Sequence, residues 1–216
     1  VKDNSIVLDV GCSTGFLGEK LKMGKNCTVV GIDNDADAVK IAGKILDKAV
    51  RSDIESGMPR LGKKFDYIIF ADVLEHTRNP EEIIRRFGKF LKKNGHIIVS
   101  LPNVAHPLIR LRLLLGKWNY TEVGIMDRTH VRFFTLKTAR SMLSNAGLEV
   151  VEEVAAGKLP VKFTRMTFCG GQTQMPLMMP FSKSVVPTPA VKAQKALCVR
   201  HLNALCGKIS CRAWKL

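Results

Sequence analysis

The stretch that decides the fold is Val7-Leu8-Asp9-Val10-Gly11-Cys12-Ser13-Thr14-Gly15, near the start of the chain. Its apolar first half predicts a buried strand, and its glycines predict a tight turn that leads into a helix. A second apolar run begins at Val29 and ends in the acidic residue Asp33. A strand, a glycine-rich turn and an acid at the end of the next strand are typical of a nucleoside-binding α/β site.

The spacing of the glycines indicates which kind of nucleoside ligand fits. A dinucleotide site uses G-x-G-x-x-G, because a pyrophosphate lies against bare backbone at a helix N-terminus. Here Gly11 and Gly15 are present, but Ser13 occupies the place of the second glycine. Asp9 lies within the turn, where its carboxylate would repel a pyrophosphate and would suit an amino group or a positive charge. The turn therefore argues against a dinucleotide.

Other runs along the chain fall in the order that such a fold requires. Apolar segments alternate with helical patterns, which predicts a parallel sheet covered by helices on both faces. The segments are Val29–Asp33, Ala49–Ile54, Phe65–His76 and Ile97–Asn103. Ligands of such sheets collect at the carboxyl ends of the strands. A carboxylate there, such as Asp33, can accept hydrogen bonds from both hydroxyls of a ribose.

These motifs resemble those of class I S-adenosylmethionine-dependent methyltransferases, including the type 11/12 group and the ubiquinone-biosynthesis O-methyltransferases. The resemblance is continuous over about residues 5–154. It implies an α/β fold that is Rossmann-like and doubly wound, with a mostly parallel seven-stranded sheet and helices on both faces. It also implies S-adenosyl-L-methionine as the cofactor. Members usually carry helices upstream of the first strand, so a start at Val1 predicts a fragment or an open cofactor site.

The resemblance implies a cofactor site whose residues can be named one by one in this sequence. It places an acid near the amino group of the methionine part, lets the glycines approach that part, and puts a polar contact and an apolar wall beside adenine. The implied cofactor-binding residues are Asp9, Gly11, Cys12, Ser13, Gly15, Asp33, Asn34, Asp53, Ile54, Ala71, Asp72 and Val73. The alternative is purely structural, with the two acids as helix caps and the glycines as turn formers.

The histidines are the candidates for acid–base chemistry. A hydroxyl acceptor must lose a proton during methylation, and histidine is the usual proton acceptor. His76 follows the fourth strand, and His130 lies in a polar and aromatic segment where Asp127 could orient it. Each histidine could instead hold a loop in place. Weaker options for these catalytic roles are His106, Glu75 and Asp72.

The segment between the fifth strand and the next helix is the expected acceptor side. Trp118, Tyr120, Asp127 and Arg132 are the candidate substrate residues, although the aromatic ones could equally belong to the core. Residues 1–154 are expected to form the cofactor-binding core, with a substrate-side insertion at 103–135. Residues 155–216 are expected to form a basic extension that completes the sheet. A helix is expected over about 80–92, a helical stripe over 191–209 and a final edge strand over 208–215.

Composition narrows the class of protein. The chain has 216 residues, 46% of them hydrophobic, so one domain with a sizeable core is expected. No apolar run approaches the ~18 residues that span a bilayer, and no signal peptide is recognisable. The six cysteines form no C-x-x-C pair and no zinc spacing with histidine, which predicts reduced thiols, no metal and a cytoplasmic protein.

Charge leaves several partners open. The net charge is +15, and no acid follows Glu153. Such a segment suits nucleic acid, an anionic membrane at 191–209, or simply a solvated face. The favoured function is methylation of a hydroxyl on a small molecule such as a glycan or a quinone-like metabolite. Nucleic-acid methylation is less favoured, because Ala71 to Leu74 lack the Asn/Asp-Pro-Pro-aromatic motif, and a non-catalytic protein with a membrane- or partner-binding tail is the third alternative.

Overall fold

The computed structural model describes residues 1–155 and 206–213, and strands alternate with helices over its first part, residues 6–51. The strands are β1 (Ile6–Val10), β2 (Thr28–Asp33), β3 (Lys48–Arg51), β4 (Phe65–Ala71), β5 (Leu91–Pro102), β6 (Leu148–Ala155) and β7 (Cys206–Ala213). The helices are α1 (Phe16–Lys25), α2 (Ala36–Ala42), α3 (Pro80–Gly88), α4 (Pro107–Leu114) and α5 (Leu136–Asn145), and a 3-10 turn covers Leu74–His76.

The strands form one sheet in the order β3-β2-β1-β4-β5-β7-β6. The five strands from β3 to β5 run parallel, whereas β7 pairs antiparallel with both β5 and β6. The α/β, Rossmann-like fold with a parallel sheet is confirmed. The sequence predicts a mostly parallel sheet of seven strands. Only these five strands form its parallel part.

The register of the parallel strands brings their carboxyl ends to one edge of the sheet. Val10 at the end of β1 pairs with Ile32 on one side and Phe70 on the other. Asp33 at the end of β2 pairs with Arg51 at the end of β3. The loops that follow these four strands therefore lie side by side.

Two apolar layers hold the helices against the sheet. Alternate residues of β1 point to opposite faces, as the period of a strand requires: Leu8 and Val10 join one core, and Val7 joins the other. The first core includes apolar residues of α3 and α5, and the second includes Leu21 of α1 and Ala42 of α2. Helices thus cover both faces, as the sequence predicts.

Two expectations about the later elements are corrected, and a third lies largely outside the described residues. The helix expected over 80–92 ends at Gly88, because Leu91 already pairs with Phe65 in the sheet. The last strand is not an edge strand, since β7 lies between β5 and β6. The helical stripe over 191–209 falls largely outside the described residues, and its last positions belong to β7.

The segment between β5 and α5 leaves the sheet and returns to it at one point. Asn103 and Phe134 form a β-bridge, and the N–H of Val104 donates to the carbonyl of Phe134 at 2.8 Å. Between them, Ile109, Ile125 and Met126 form a small core of their own. Within the described residues, the helices are too short or too polar to span a bilayer.

Candidate functional site

Backbone hydrogen bonds to β2 fix the turn after β1. Its amide groups at Gly11 and Cys12 both donate to the carbonyl of Ile32, at 2.8 and 3.0 Å. Gly11 and Gly15 have φ of 73° and 88°, a region that favours glycine, and Ser13 also has a positive φ of 47°. Gly15 is the N-cap of α1, so the turn feeds directly into the start of that helix.

Asp9 lies in β1 just before this turn, and not within the turn as expected, because it pairs with Gly31 in the sheet. Its side chain is 1% exposed, and neither carboxyl oxygen has a hydrogen-bond partner. Burial, and to a lesser extent the charge of Asp33, raises the pKa of Asp9 to about 7. A buried group of this kind is costly, and a cationic ligand beside it would lower that cost.

Asp33 joins the turn to the loop that follows β2. One carboxylate oxygen accepts from the N–H of Ser13 at 2.7 Å, and the other accepts from the N–H of Asp35 at 3.0 Å. The side chain remains partly exposed. Each oxygen has a second lone pair, so the carboxylate can still accept ribose hydroxyls. Next to it, the carbonyl of Asn34 accepts from Nε of Arg51 at 3.1 Å.

The loop after β3 lies beside Asp33 and carries Asp53 and Ile54. The N–H of Ser52 donates to the carbonyl of Asp33 at 2.8 Å. Asp53 accepts from the hydroxyl of Ser56 and from the N–H of Glu55, and these bonds lower its pKa. The carbonyl of Ile54 accepts from Nη2 of Arg86 at 2.7 Å.

The loop after β4 packs directly on the glycine turn. A Cβ atom added at Gly11 would lie 2.3 Å from Cγ2 of Val73. Asp72, with a φ of 54°, accepts from the hydroxyl of Ser100 at 2.8 Å, and Ala71 ends the strand. The sequence-predicted cofactor residues therefore lie at the carboxyl ends of β1, β2 and β4 or in the loops that follow β1, β2, β3 and β4.

The two candidate catalytic histidines lie against each other. The rings of His76 and His130 have centroids 4.8 Å apart at 70°. The carbonyl of Glu75 accepts from the N–H groups of Val131 and Arg132, at 2.9 and 3.0 Å, which fixes the second segment beside the first. Burial, followed by the charge of His76, lowers the pKa of His130.

The side chain of Asp127 is linked through Thr129 to His76. Its side chain accepts two hydrogen bonds from Thr129, from the N–H at 2.8 Å and from the hydroxyl at 2.7 Å. That hydroxyl, like the Thr129 carbonyl, lies 3.2 Å from Nδ1 of His76. Nδ1 of His130 faces the carbonyl of Ile125 at 3.2 Å. Asp127 also contacts His130, because its backbone carbonyl accepts from the N–H of His130 at 3.2 Å. That Asp127 orients the ring of His130 stays a prediction, and Thr129 is the residue that sequence reasoning missed.

The remaining candidate substrate residues separate into two groups. Trp118 and Tyr120 both contact the ring of Phe133, at centroid distances of 5.5 and 6.4 Å. Trp118 also borders a cleft of about 350 Å³, with Ile109 and Met126. The guanidinium of Arg132 instead donates to the carbonyl of Arg78 and so holds the loop after the 3-10 turn. Arg132 is therefore engaged in structure.

Glu75 is a buried acid beside the histidine pair. Its side chain is fully buried without a hydrogen-bond partner, and burial raises its pKa to about 8. Ligand atoms of Glu75, His76 and His130 lie within 4.8 Å of one another, so the three residues could hold a metal ion. The sequence predicted no metal because local spacing shows no ligand set, whereas this group joins distant segments. The absence of a metal remains a prediction.

His106, a weaker catalytic candidate, has a structural task. It is the N-cap of α4, and its Nδ1 accepts from the N–H of Leu108 at 3.3 Å. The helix cap accounts for this side chain without any chemistry.

S-adenosylmethionine fits the residues at this edge of the sheet. Its ammonium group suits the unpartnered carboxyl of Asp9, and its ribose diol suits the partly exposed carboxylate of Asp33. Ser13 and Thr14 are the exposed part of the turn, where the methionine part would approach, and the positive φ values of Gly11 and Gly15 favour glycine. The fit rests on these groups of the chain itself.

Comparison with known proteins identifies the family. A family model described as "Methyltransferase domain" matches residues 2–153. The ubiquinone biosynthesis O-methyltransferase of Azorhizobium caulinodans is 34% identical over 152 residues, which cover 68% of this chain and 59% of that protein. The mitochondrial enzyme of Rattus norvegicus is 31% identical over 165 residues, covering 70% and 46%. The chain thus spans about half the length of these curated relatives.

Solved structures show the same fold. A SAM-dependent methyltransferase from Aquifex aeolicus matches with a TM-score of 0.59 at 14% identity, over 99% of this chain and 84% of that one. One from Archaeoglobus fulgidus matches with a TM-score of 0.59 at 17% identity, over 96% and 85%. With the family model covering residues 2–153, these matches lead to one conclusion. The chain belongs to the class I S-adenosylmethionine-dependent methyltransferases.

Proposed function

We propose that this chain transfers a methyl group from S-adenosylmethionine to a hydroxyl group of a small-molecule acceptor. The observation that carries the proposal is the path of the loop after β4. Val73 packs on Gly11 in the cofactor turn, and three residues later His76 lies against His130. One short loop therefore connects the expected cofactor position to the pair of expected bases.

Residues at the carboxyl ends of β1 to β4, and in the loops after these strands, would hold the cofactor. Asp33 would accept the ribose hydroxyls, Asp9 would face the ammonium group, and Asp53 with Ile54 would border adenine. The bound cofactor supplies a methyl group bonded to a sulfonium sulfur, so the group that leaves is a neutral thioether. The protein then has to align the acceptor, exclude water and remove a proton.

The hydrogen bonds of the histidines support Nε2 as the nitrogen that would act as the base. Nδ1 of His130 faces the carbonyl of Ile125, and Nδ1 of His76 faces the carbonyl of Thr129. A carbonyl only accepts, so the neutral form of each ring carries its proton on Nδ1. The lone pair is then on Nε2, which is the atom that would accept the proton of the hydroxyl acceptor. The lowered pKa of His130 favours this neutral form near physiological pH.

A hydroxyl acceptor is supported by the curated relatives, which are named as O-methyltransferases of ubiquinone biosynthesis. From these relatives we extend to this chain only the transfer to oxygen. The acceptor would lie against the aromatic part of 103–135. We also propose that residues 1–154 form the catalytic core, with 103–135 as its acceptor side and 155–216 as a basic extension.

The experiment is a methyl-transfer assay with radiolabelled S-adenosylmethionine and the full chain. The acceptors are a panel of phenols, catechols and sugar hydroxyl compounds, with total tRNA as the nucleic-acid arm. We expect transfer to a hydroxyl compound, lost in His130→Gln. His106→Gln is the matched control, because that histidine only caps α4. Transfer to tRNA alone would overturn the choice of acceptor, and no cofactor binding by folded protein would overturn the function.

A further inference from the structure

Helix α4 packs against the rest of the described chain through a single buried residue of its own. From Pro107 to Thr121, Ile109 is the one buried position, in a small core with Ile125 and Met126. Leu114 is 83% exposed and Leu115 63% exposed, and Leu108, Leu111 and Leu113 are also exposed. A helix of a globular protein normally buries an apolar stripe, so this one has a leucine surface that requires a cover.

The leucines lie on adjoining turns of the helix. Leu108, Leu111 and Leu115 are spaced three and four residues apart, which places them on one face, and Leu114 follows Leu111 by three. Exposed apolar surfaces of this kind, when they are contiguous and rimmed by polar groups, mark interaction sites. We name residues 107–120 the leucine–arginine surface.

Charge on this surface has one sign only. Arg110, Arg112 and Lys117 are all exposed, and residues 104–121 contain no acid. The first acid that follows, Glu122, pairs with Arg128. A second copy of this surface would set three cations against three cations. A nucleic acid would neutralise the cations and leave the leucines in water.

Two aromatic residues complete the pattern. Gly116, with a φ of 68°, ends the helix and turns the chain so that Trp118 and Tyr120 contact Phe133. Arg112, Lys117 and Trp118 border the same cleft, which is walled by Ile109 and Met126. Tryptophan and tyrosine favour the headgroup level of a bilayer, and leucines with basic residues favour the boundary below it.

We propose that the leucine–arginine surface docks on an anionic lipid bilayer. Exposed leucines enter the boundary between headgroups and acyl chains, and the three cations lie at the level of the phosphates. Each cation near an anionic surface raises the affinity roughly fivefold, and the exposed apolar side chains add a hydrophobic contribution. This surface differs from the basic segment 191–209, and the docking does not depend on the proposed methyl transfer.

The test is co-sedimentation of the full chain with vesicles at low ionic strength. One set of vesicles is phosphatidylcholine alone, and the other contains phosphatidylglycerol as well. We expect binding to the anionic vesicles, and weaker binding as salt rises. Failure of the wild-type chain to sediment with anionic vesicles would overturn the proposal.

Two variants assign the binding to this surface. Leu111→Ser with Leu114→Ser should abolish sedimentation, and Arg110→Gln, Arg112→Gln and Lys117→Gln together should weaken it roughly a hundredfold, from three contributions of that size. All five side chains are exposed, so unfolding temperatures should stay unchanged.

Matched controls remove the same groups elsewhere. Met23→Ser removes an exposed apolar side chain of α1, and Lys40→Gln, Lys44→Gln and Lys93→Gln remove three exposed cations. Both controls should bind vesicles like the wild type. Equal losses in the controls would overturn the assignment to this surface. The proposal would also be overturned if the wild type formed dimers and did not bind vesicles, and if the leucine variant were monomeric. A second copy of the chain would then cover the leucines.

Discussion

The carboxylate of Asp33 accepts a hydrogen bond from the backbone N–H of Ser13 at 2.7 Å, across 20 positions of the chain. Ser13 has a positive φ of 47°, so this bond helps to hold the turn in a conformation that a serine rarely adopts. One acid therefore has two tasks, to support the glycine turn and to present oxygen atoms to a ribose.

Replacement of Asp33 should weaken cofactor binding. For Asp33→Ala we expect a loss of about 1–3 kcal/mol in affinity for S-adenosylhomocysteine, because both the ribose acceptor and the support of Ser13 are removed. Calorimetric titration measures it. The matched control is Asp35→Ala, since Asp35 caps α2 by accepting from Asp37 and Ala38. That variant should lose about 1 kcal/mol of stability with affinity unchanged, and equal affinity in both variants would contradict the assignment.

Gly11 is constrained by protein and by conformation. A Cβ there would lie 2.3 Å from Cγ2 of Val73, at a φ of 73°. We expect Gly11→Ala to destabilise the fold by about 2 kcal/mol, from strain and overpacking together. Val73→Ala should restore part of that loss in the double variant, as it removes the clash and leaves the strain. Urea unfolding of the two single variants and the double variant measures the coupling.

The control for Gly11 is another glycine with room around it. Gly24, within α1, has no atom within 4 Å of an added Cβ. Gly24→Ala should therefore stabilise the chain by about 0.5–1 kcal/mol through helix propensity. If Gly11→Ala were as harmless as Gly24→Ala, the close approach to Val73 would be absent in solution.

The sequence predicts the elements of the parallel sheet because local pattern and tertiary pairing agree there. They disagree near Leu91, where helical spacing continues past Gly88 but pairing with Phe65 takes the residue into β5. The place of β7 between β5 and β6 was also missed, since no local pattern encodes which strand a distant segment joins.

The site divides in the same way. Motif residues such as Asp9 and Asp33 lie where the strand ends predict. The relay from Asp127 through Thr129 to His76 joins segments 53 positions apart, and the burial of Glu75 arises only when those segments pack. No spacing in the sequence indicates such contacts. The adjacency of an acid and a histidine, at Glu75 and His76, is the local signal that was available.

Asp9 should make stability depend on pH. Its pKa is about 7 in the folded chain and 3.8 as a free side chain, so the folded state binds more protons between these values. Stability should therefore fall as pH rises through this window, by up to about 4 kcal/mol. In Asp9→Asn this part of the slope should disappear. Urea unfolding from about pH 4 to about pH 8 compares the slopes.

Glu75 contributes with the same sign over a higher window, because its pKa is raised from 4.5 to about 8. Glu75→Gln is thus the variant to compare with Asp9→Asn. The pH dependence of stability that remains in Glu75→Gln comes from Asp9, so it should lie at lower pH than the one that remains in Asp9→Asn. Identical slopes in wild type and Asp9→Asn would show that Asp9 has a partner or water in solution.

The pKa of His130 should depend on its neighbour His76. Burial and the charge of His76 both lower the pKa of His130, so His76→Gln should move that pKa upward, towards the ordinary value of 6.5. Burial is unchanged by the substitution, and the pKa should therefore recover only in part. Titration of the ring protons by NMR, in buffer with a chelator, measures it directly and requires no acceptor.

The control and the link to activity use the same spectra. His106→Gln, at the cap of α4, should leave the pKa of His130 unchanged. If His130 is the base, the acidic limb of the pH–rate profile should follow its pKa and shift upward in His76→Gln. A pKa of His130 that is the same with and without His76 would mean that the rings do not lie 4.8 Å apart in solution. The arrangement from which we infer the proton acceptor would then be lost.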